Sequence, residues 1–80
     1  MANKQILSPL PGTFYRKPAP EQPPYKSEGD RVAEGEVIGL IEVMKMFHEV
    51  KADASGVIVK FLVGNEEAIM AGQALVDIDS

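Results

Sequence analysis

The distribution of proline and glycine constrains the fold of this chain more than any other feature of its sequence. All six prolines lie within the first 24 residues, and four of them fall in the segment KPAPEQPP, Lys17 to Pro24. Because proline fixes φ and lacks an N–H donor, we predict a stiff loop there rather than a regular helix or a central strand. From Gly29 onward proline is absent and glycine recurs between short apolar segments, which is typical of many short β-strands.

The apolar segments are rich in valine and isoleucine, which favours strands over helices. We predict strands in KQILS, GTFYR, EVIGLIEVM, MFHEVKA, GVIVKFLV and QALVDID. The segment NEEAIMAG has room for about two helical turns, but Gly64 and Gly72 bound it, so we predict a turn and a short strand. The sequence therefore predicts an all-β domain.

Two stretches of the chain repeat one pattern. VAEGEVIGLIE, residues 32–42, and IMAGQALVDID, residues 69–79, each have an aliphatic residue, two further residues, a glycine, a polar residue and a strand that ends in an acid. The repeat predicts two related half-domains about a pseudo-twofold axis, each supplying one sheet face to a common core. A chance similarity between two strands of like composition is the alternative.

Size and composition exclude several classes of function. With 80 residues the chain has room for one small domain, residues 1–80, and not for separate nucleotide and substrate lobes. It has no cysteine, a single histidine at position 48 and a net charge of −4 with scattered basic residues, which disfavours metal sites and nucleic-acid surfaces. The apolar runs are too short to span a bilayer and the N-terminal residues do not resemble a signal peptide, so we expect a cytoplasmic protein.

Lys45 stands between two methionines in the motif EVMKMF, residues 42–47, inside an otherwise apolar stretch. Burying its charge there would be costly. If two strands meet at this point, the lysine projects into water at the tip of a tight hairpin, where its amine is mostly protonated and needs another enzyme to acylate it. Met44 and Met46 suit docking of such an enzyme, although they could equally pack at the end of the barrel.

The motif resembles the biotin-attachment motif of the biotinyl and lipoyl attachment domain family, commonly written E-A-M-K-M. The stretch from SPLPGTFYR through KADASG to FLV is similar to biotin carboxyl carrier domains of acetyl-CoA carboxylases, over about three quarters of the chain. In those domains the proline-containing segment after GTFYR is an extra loop called the thumb, here about residues 17–24. We expect it to fold toward the Lys45 hairpin, with a passive connector as the alternative.

The resemblance implies a flattened β-barrel of two four-stranded sheets with pseudo-twofold symmetry. It implies biotin in amide linkage to Lys45, with Glu42, Met44 and Met46 recognised by biotin protein ligase. It also implies that biotin carboxylase loads the carboxyl group and that a carboxyltransferase passes it to an acyl-CoA, in fatty acid biosynthesis. The domain itself would catalyse neither step.

Two departures from the family pattern and three rival functions stay open. The usual alanine of the motif is Val43 here, and Glu66 stands where the repeat places a counterpart of Gly29, at a turn that suits positive φ. A lipoyl domain of an oxo-acid dehydrogenase shares the fold, but its motif resembles D-K-A, without two flanking methionines. A carrier of another biotin-dependent carboxylase and an interaction module with an unmodified lysine are the remaining alternatives.

Overall fold

The computed structural model describes residues 3–80, so the first two residues of the predicted domain lie outside the described residues. Within that range the chain forms eight β-strands and no helix. The strands are β1 Asn3–Leu7, β2 Gly12–Tyr15, β3 Arg31–Val32, β4 Val37–Val43, β5 Met46–Lys51, β6 Gly56–Phe61, β7 Glu67–Ile69 and β8 Ala74–Asp79. The predicted all-β class is confirmed, and NEEAIMAG contributes the short strand β7.

The strands form two four-stranded antiparallel sheets with orders β1-β8-β6-β3 and β5-β4-β2-β7. Alternate residues of each strand face the space between the sheets, where apolar side chains exclude water. Phe14, Ile38, Ile41, Leu75 and Ile78 are fully buried there. The two-sheet sandwich predicted from the repeat is therefore confirmed, and the β4–β5 hairpin belongs to one sheet only.

The two halves of the repeat are superimposable in their local hydrogen bonds. Gly35 and Gly72, which are 37 positions apart, both have positive φ, +92° and +82°. The N–H of Gly35 donates to the carbonyl oxygen of Ala52 and that of Gly72 to Ser8, each at 2.8 Å. The pseudo-twofold relation predicted from residues 32–42 and 69–79 is confirmed.

The first half carries an insertion. Gly12 and Gly56 are equivalent and 44 positions apart, and a Cβ at either would overlap the backbone oxygen of the strand beside it, at Glu42 and Asp79 respectively. Further along, Gly29 and Glu66 are equivalent and only 37 positions apart, so the first half has seven more residues (44 minus 37) between its two equivalent points than the second half. The insertion contains the proline-rich segment, residues 17–24, which we call the thumb.

The sequence prediction missed one element and anticipated one strained turn. Arg31–Val32 forms β3, which pairs with Val57 and Gly56 at the edge of its sheet but is too short to produce an alternating pattern. Glu66 adopts a φ of +63°, as expected for a counterpart of Gly29, whose φ is +92°. A non-glycine residue pays a conformational penalty in this region.

Candidate functional site

The hairpin between β4 and β5 turns through two residues, Met44 and Lys45. Val43 pairs with Met46, and φ is +51° at Met44 and +66° at Lys45. Positive φ at both central residues defines a type I′ turn, whose twist matches the flanking strands and which usually contains asparagine and glycine. The prediction that Lys45 lies at a hairpin tip is confirmed. Two successive non-glycine residues in this conformation hold strain at the tip.

The side chains around the tip are turned to solvent. Met44 is 90% exposed and Met46 is 64% exposed, so neither packs at the end of the barrel. Lys45 is also exposed, and within residues 3–80 it makes no ion pair. A primary amine in this position is accessible to an acylating enzyme from several directions.

Tyr15 and Glu42 form a polar contact at the base of the hairpin. The Tyr15 hydroxyl donates to Oε1 of Glu42 at 3.0 Å across the β2–β4 pair. This hydrogen bond, then burial, then the negative charges of Glu42 and Glu66 raise the pKa of Tyr15 above its ordinary value. Glu42 thus has a partner within the domain that sequence reasoning did not foresee, since Tyr15 was noted only as part of GTFYR.

Phe47 connects the hairpin to the thumb. Its ring meets the ring of Tyr15 edge to face, with centroids 5.8 Å apart and an interplanar angle of 60°. The two rings and the thumb enclose a cavity of about 120 Å³ on the outer side of the sheet, two residues along the chain from Lys45. The thumb therefore lies on the side toward the hairpin, where the sequence predicts it. The cavity is lined by Tyr15, Lys17, Pro18, Ala19, Pro20, Phe47, Asn65 and Glu66.

The structure brings the four sequence-predicted site residues together on one hairpin, and it gives them different environments. Met44, Lys45 and Met46 project into solvent, whereas Glu42 is half-buried and bound by Tyr15. Sequence reasoning missed Tyr15 and Phe47 because their rings meet across β4, which lies between β2 and β5 in the sheet, and the two residues are 32 positions apart.

Across residues 3–80 there is no group of three or more histidine, aspartate or glutamate side chains arranged to hold a metal ion. That part of the chain also contains no helix of the length and apolarity needed to cross a membrane.

Comparison with known proteins places this geometry in a family. The model of the biotin and lipoyl attachment family, described as "Biotin-requiring enzyme", matches residues 4–78. The biotin carboxyl carrier protein of acetyl-CoA carboxylase from Nostoc sp. is 40% identical over 74 residues, which are 92% of this chain and 41% of that protein. Its counterpart from Streptococcus pyogenes is 45% identical over 73 residues, 91% of this chain and 44% of that protein.

A solved structure gives the same result for the fold. The urea carboxylase of Kluyveromyces lactis superimposes with a TM-score of 0.79 at 28% identity, over 99% of this chain and 6% of that chain. The chain spans about two fifths of the length of the two carrier proteins it matches. The match over residues 4–78, together with the shared two-sheet fold, shows that this chain belongs to the biotin and lipoyl attachment family of biotin-requiring enzymes.

Proposed function

We propose that this chain is a biotin carboxyl carrier domain of an acetyl-CoA carboxylase, with biotin attached to Lys45. The observation that carries the proposal is the exposed Lys45 amine at the tip of a type I′ turn between two exposed methionines. The names of its relatives support the choice of carboxylase. The proposed domain comprises residues 1–80, with the thumb at residues 17–24.

The residues present fit a covalently tethered cofactor. In amide formation, Lys45 Nζ would give up its extra protons and bond to the carboxyl carbon of the biotin side chain. The bond from that carbon to the oxygen carrying the ligase's activating group would break, and the activating group would leave with the oxygen, so that Nζ ends uncharged. The net charge of the chain then changes from −4 to −5. No group beside Lys45 is needed as a base within the domain, because the partner enzyme supplies the activation.

Recognition by biotin protein ligase is proposed to depend on the shape of the tip. Met44 and Met46 offer exposed, unbranched side chains on both sides of the lysine, which suits docking against an enzyme surface. Glu42 is proposed to contribute through the position it gives the hairpin base, since Tyr15 already engages its carboxylate. Val43 packs against the core, so its extra bulk relative to alanine is directed away from the ligase.

The carrier role follows from reach and tethering. Biotin supplies a ring that accepts a carboxyl group at a biotin carboxylase and gives it up at a carboxyltransferase. The lysyl and valeryl chains together contain about ten single bonds, so the ring reaches on the order of 10 Å beyond the domain surface. Tethering also raises the local concentration of the cofactor at each partner. The domain is proposed to be non-catalytic and cytoplasmic.

A modification experiment tests the attachment site. The chain is expressed with excess biotin and an active biotin protein ligase, and its intact mass and peptide map are recorded. The parent is expected to gain one biotin at Lys45, and Lys45→Arg is expected to gain none while keeping its fold, because a guanidinium stays protonated. Lys60→Arg is the matched control on β6 and is expected to be modified like the parent.

The same experiment separates the rival functions. Biotin on Lys51 or Lys60 in the parent would defeat the assignment to Lys45, and lipoate addition in place of biotin by a lipoate ligase would favour a lipoyl carrier. A parent chain that neither ligase modifies would favour a plain interaction module. The acceptor is tested next, by measuring carboxyl transfer to acetyl-CoA and to urea in reconstituted systems. Transfer to urea alone would reject acetyl-CoA carboxylase.

A further inference from the structure

Arg16 stands where the thumb leaves the sheet, directly after β2. Its carbonyl oxygen accepts the N–H of Tyr25 at 3.0 Å, so the residues that enter and leave the thumb are joined at its root. Its own N–H donates to Oδ1 of Asn65 at 2.8 Å. Asn65 belongs to the β6–β7 turn, so this bond ties the root of the thumb to the other half of the barrel.

The guanidinium of Arg16 adds two contacts that the backbone does not supply. Its Cζ lies 4.0 Å from the centroid of the Phe61 ring, and its Nη2 donates to the carbonyl oxygen of Lys26 at 3.4 Å. Phe61 is a core residue that is 9% exposed, so the cation rests on a ring that is itself held by the barrel. The side chain therefore links the exit of the thumb to the core.

The other half of the barrel provides an internal comparison. Glu28, equivalent to Asn65, also accepts a backbone N–H through its side chain, from Phe61 at 3.2 Å. This acceptor is thus common to both halves. Phe61, whose N–H makes the equivalent bond, holds the position of Arg16 in the half with the shorter connection, because β6 has one extra residue at the register shift between Ile58 and Lys60. The stacked guanidinium therefore occurs together with the thumb.

We propose that Arg16 and Asn65 are positioning residues that hold the thumb against the sheet before any ligand is bound. The wall that Lys17 to Pro20 contribute to the cavity beside the Lys45 hairpin is then preformed. The four prolines and a turn closed by the Gln22 N–H on the Ala19 oxygen at 3.0 Å already narrow the conformations of the thumb. Arg16 and Asn65 select one of the remaining orientations of the thumb. Because the thumb is already ordered, less conformational entropy is lost when a ligand binds in the cavity.

Hydrogen exchange on the unmodified full chain tests this positioning directly. The reporters are the amides of Gln22 and Tyr25, compared with the Ile58 amide, which donates to Asp30 in the barrel at 2.8 Å. Arg16→Ala is expected to speed exchange of the two thumb amides about tenfold, with the Ile58 amide unchanged. Arg16→Lys keeps a cation over Phe61 but loses the planar fork, so it is expected to lie between parent and Arg16→Ala.

Asn65 and a matched control complete the set. Asn65→Ala is expected to speed exchange of the two thumb amides. Asn65→Asp, which keeps the acceptor oxygen, is expected to exchange at the rate of the parent. Lys60→Ala removes an exposed cation from β6, next to Phe61 in the chain, and is expected to change neither reporter. Parent-like exchange at Gln22 and Tyr25 in both Arg16→Ala and Asn65→Ala would overturn the proposal. An increase of equal size in the exchange rate of the Ile58 amide would overturn it too, since the contacts would then stabilise the whole barrel and not the thumb in particular.

The consequence for transfer rests on the proposed function and has its own measurement. Once biotinylated, Arg16→Ala is expected to lower kcat for carboxyl transfer about threefold to tenfold and to leave KM for the acyl-CoA unchanged. Its rate of biotinylation at Lys45 is expected to match the parent. An unchanged kcat in a chain with a loosened thumb would overturn the role of the held thumb in carboxyl transfer. Failure of the parent to take biotin would instead reject the proposed function and leave the exchange results standing.

Discussion

Glu66 occupies a backbone position that a glycine fills in the other half of the barrel. Its φ of +63° corresponds to the +92° of Gly29, and its N–H donates to the Phe14 oxygen at 2.6 Å. The Glu66 N–H reaches the Phe14 oxygen only because the chain turns at Glu66, and this turn needs a positive φ, which costs an L-residue about 1 kcal/mol. Glu66 also lines the cavity beside the hairpin, so the strain is stored at the functional end of the molecule.

Replacing Glu66 by glycine is expected to stabilise the chain. Glu66→Gly removes the left-handed penalty and adds some unfolded-state entropy, so we expect the free energy of unfolding to rise by about 0.5–1 kcal/mol. Urea denaturation measures it. Gly29→Ala is the reciprocal control, because open space surrounds Gly29 and an alanine there would be strained only through its backbone, and it is expected to lower stability by about 1 kcal/mol. A less stable Glu66→Gly would show that the Glu66 side chain contributes more than its backbone costs.

Tyr15 gives the domain an alkaline pH dependence. Its pKa is raised, chiefly by the hydrogen bond to Glu42, so the folded state holds the phenolic proton more tightly than the unfolded state. This contribution to stability is complete below the ordinary pKa of 10.0 and is lost as pH rises through the higher folded pKa.

The alkaline prediction compares two tyrosines. Tyr15→Phe is expected to flatten the fall of unfolding free energy above about pH 10. Tyr25→Phe leaves the Tyr15–Glu42 pair in place and is expected to keep the slope of the parent. Urea denaturation at a series of alkaline pH values measures both. A Tyr15→Phe chain with the parent's slope would mean that the hydrogen bond does not hold the proton.

At the scale of elements, the β3–β4 and β7–β8 turns are closed by the same side-chain hydrogen bond, made by a charged acceptor in one turn and a neutral acceptor in the other. Oε1 of Glu36 accepts the Ala33 N–H at 2.7 Å, and Oε1 of Gln73 accepts the Met70 N–H at 2.9 Å. The bond from Ala33, and then the Lys26 ammonium at 3.3 Å, lower the pKa of Glu36. A carboxylate and an amide thus perform the same local task, and only the carboxylate links the turn to pH.

Substituting each of these two side chains by the other type is expected to change how strongly stability depends on acid pH. The Glu36 contribution is present above the ordinary pKa of 4.5 and is lost as pH falls through the lower folded pKa. Glu36→Gln keeps the acceptor oxygen and is expected to reduce the loss of stability on acidification below about pH 4.5. Gln73→Glu, the reciprocal variant, is expected to increase it. Thermal unfolding between neutral and acid pH checks both, and identical acid profiles in all three chains would contradict the argument.

The thumb shows how an element can be added without altering the barrel. The span from Gly56 to Glu66 is seven residues shorter than the equivalent span from Gly12 to Gly29, and both halves keep the same sheet order. The insertion lies on the outer side of one sheet, so it adds a cavity wall without entering the core. A functional surface is therefore added at small cost to packing.

At the scale of the whole molecule, one small core joins both sheets. Phe14 is fully buried, and Gly39 on the neighbouring strand leaves room for its ring, since a Cβ there would come within 2.6 Å of it. Domains of this size are stable by only about 4–12 kcal/mol. A single large core side chain therefore accounts for much of the stability.

Truncating one buried ring, Phe14, and one exposed ring, Phe47, compares the contribution of the core to stability with that of the outer site. Phe14→Ala is expected to lower the free energy of unfolding by about 3–5 kcal/mol, because it leaves a cavity between the sheets. Phe47→Ala, at a residue 58% exposed, is expected to cost about 1 kcal/mol through its contact with Tyr15. Chemical denaturation ranks the two variants. Equal losses would contradict the assignment of Phe47 to the outer site.

Much of the fold was determined by sequence alone because its signals are local. Proline excluded regular structure at the thumb, valine and isoleucine favoured strands, and glycine spacing marked the turns. Lys45 was placed at a tip because two apolar strands meet there, and Glu66 was expected in a glycine-like turn because the repeat aligned it with Gly29. Each inference depends on residues close together in the chain or on a repeat visible in it.

The tertiary structure decided the contacts between distant residues. Tyr15 meets Glu42, Phe47 lines one cavity with the thumb, and Arg16 stacks on Phe61 only after the strands are ordered β5-β4-β2-β7 and β1-β8-β6-β3. Backbone preferences act over a few neighbouring residues, whereas these contacts join residues 27 to 45 positions apart. Their energies depend on which strands become neighbours, and cooperative burial of the common core selects that arrangement.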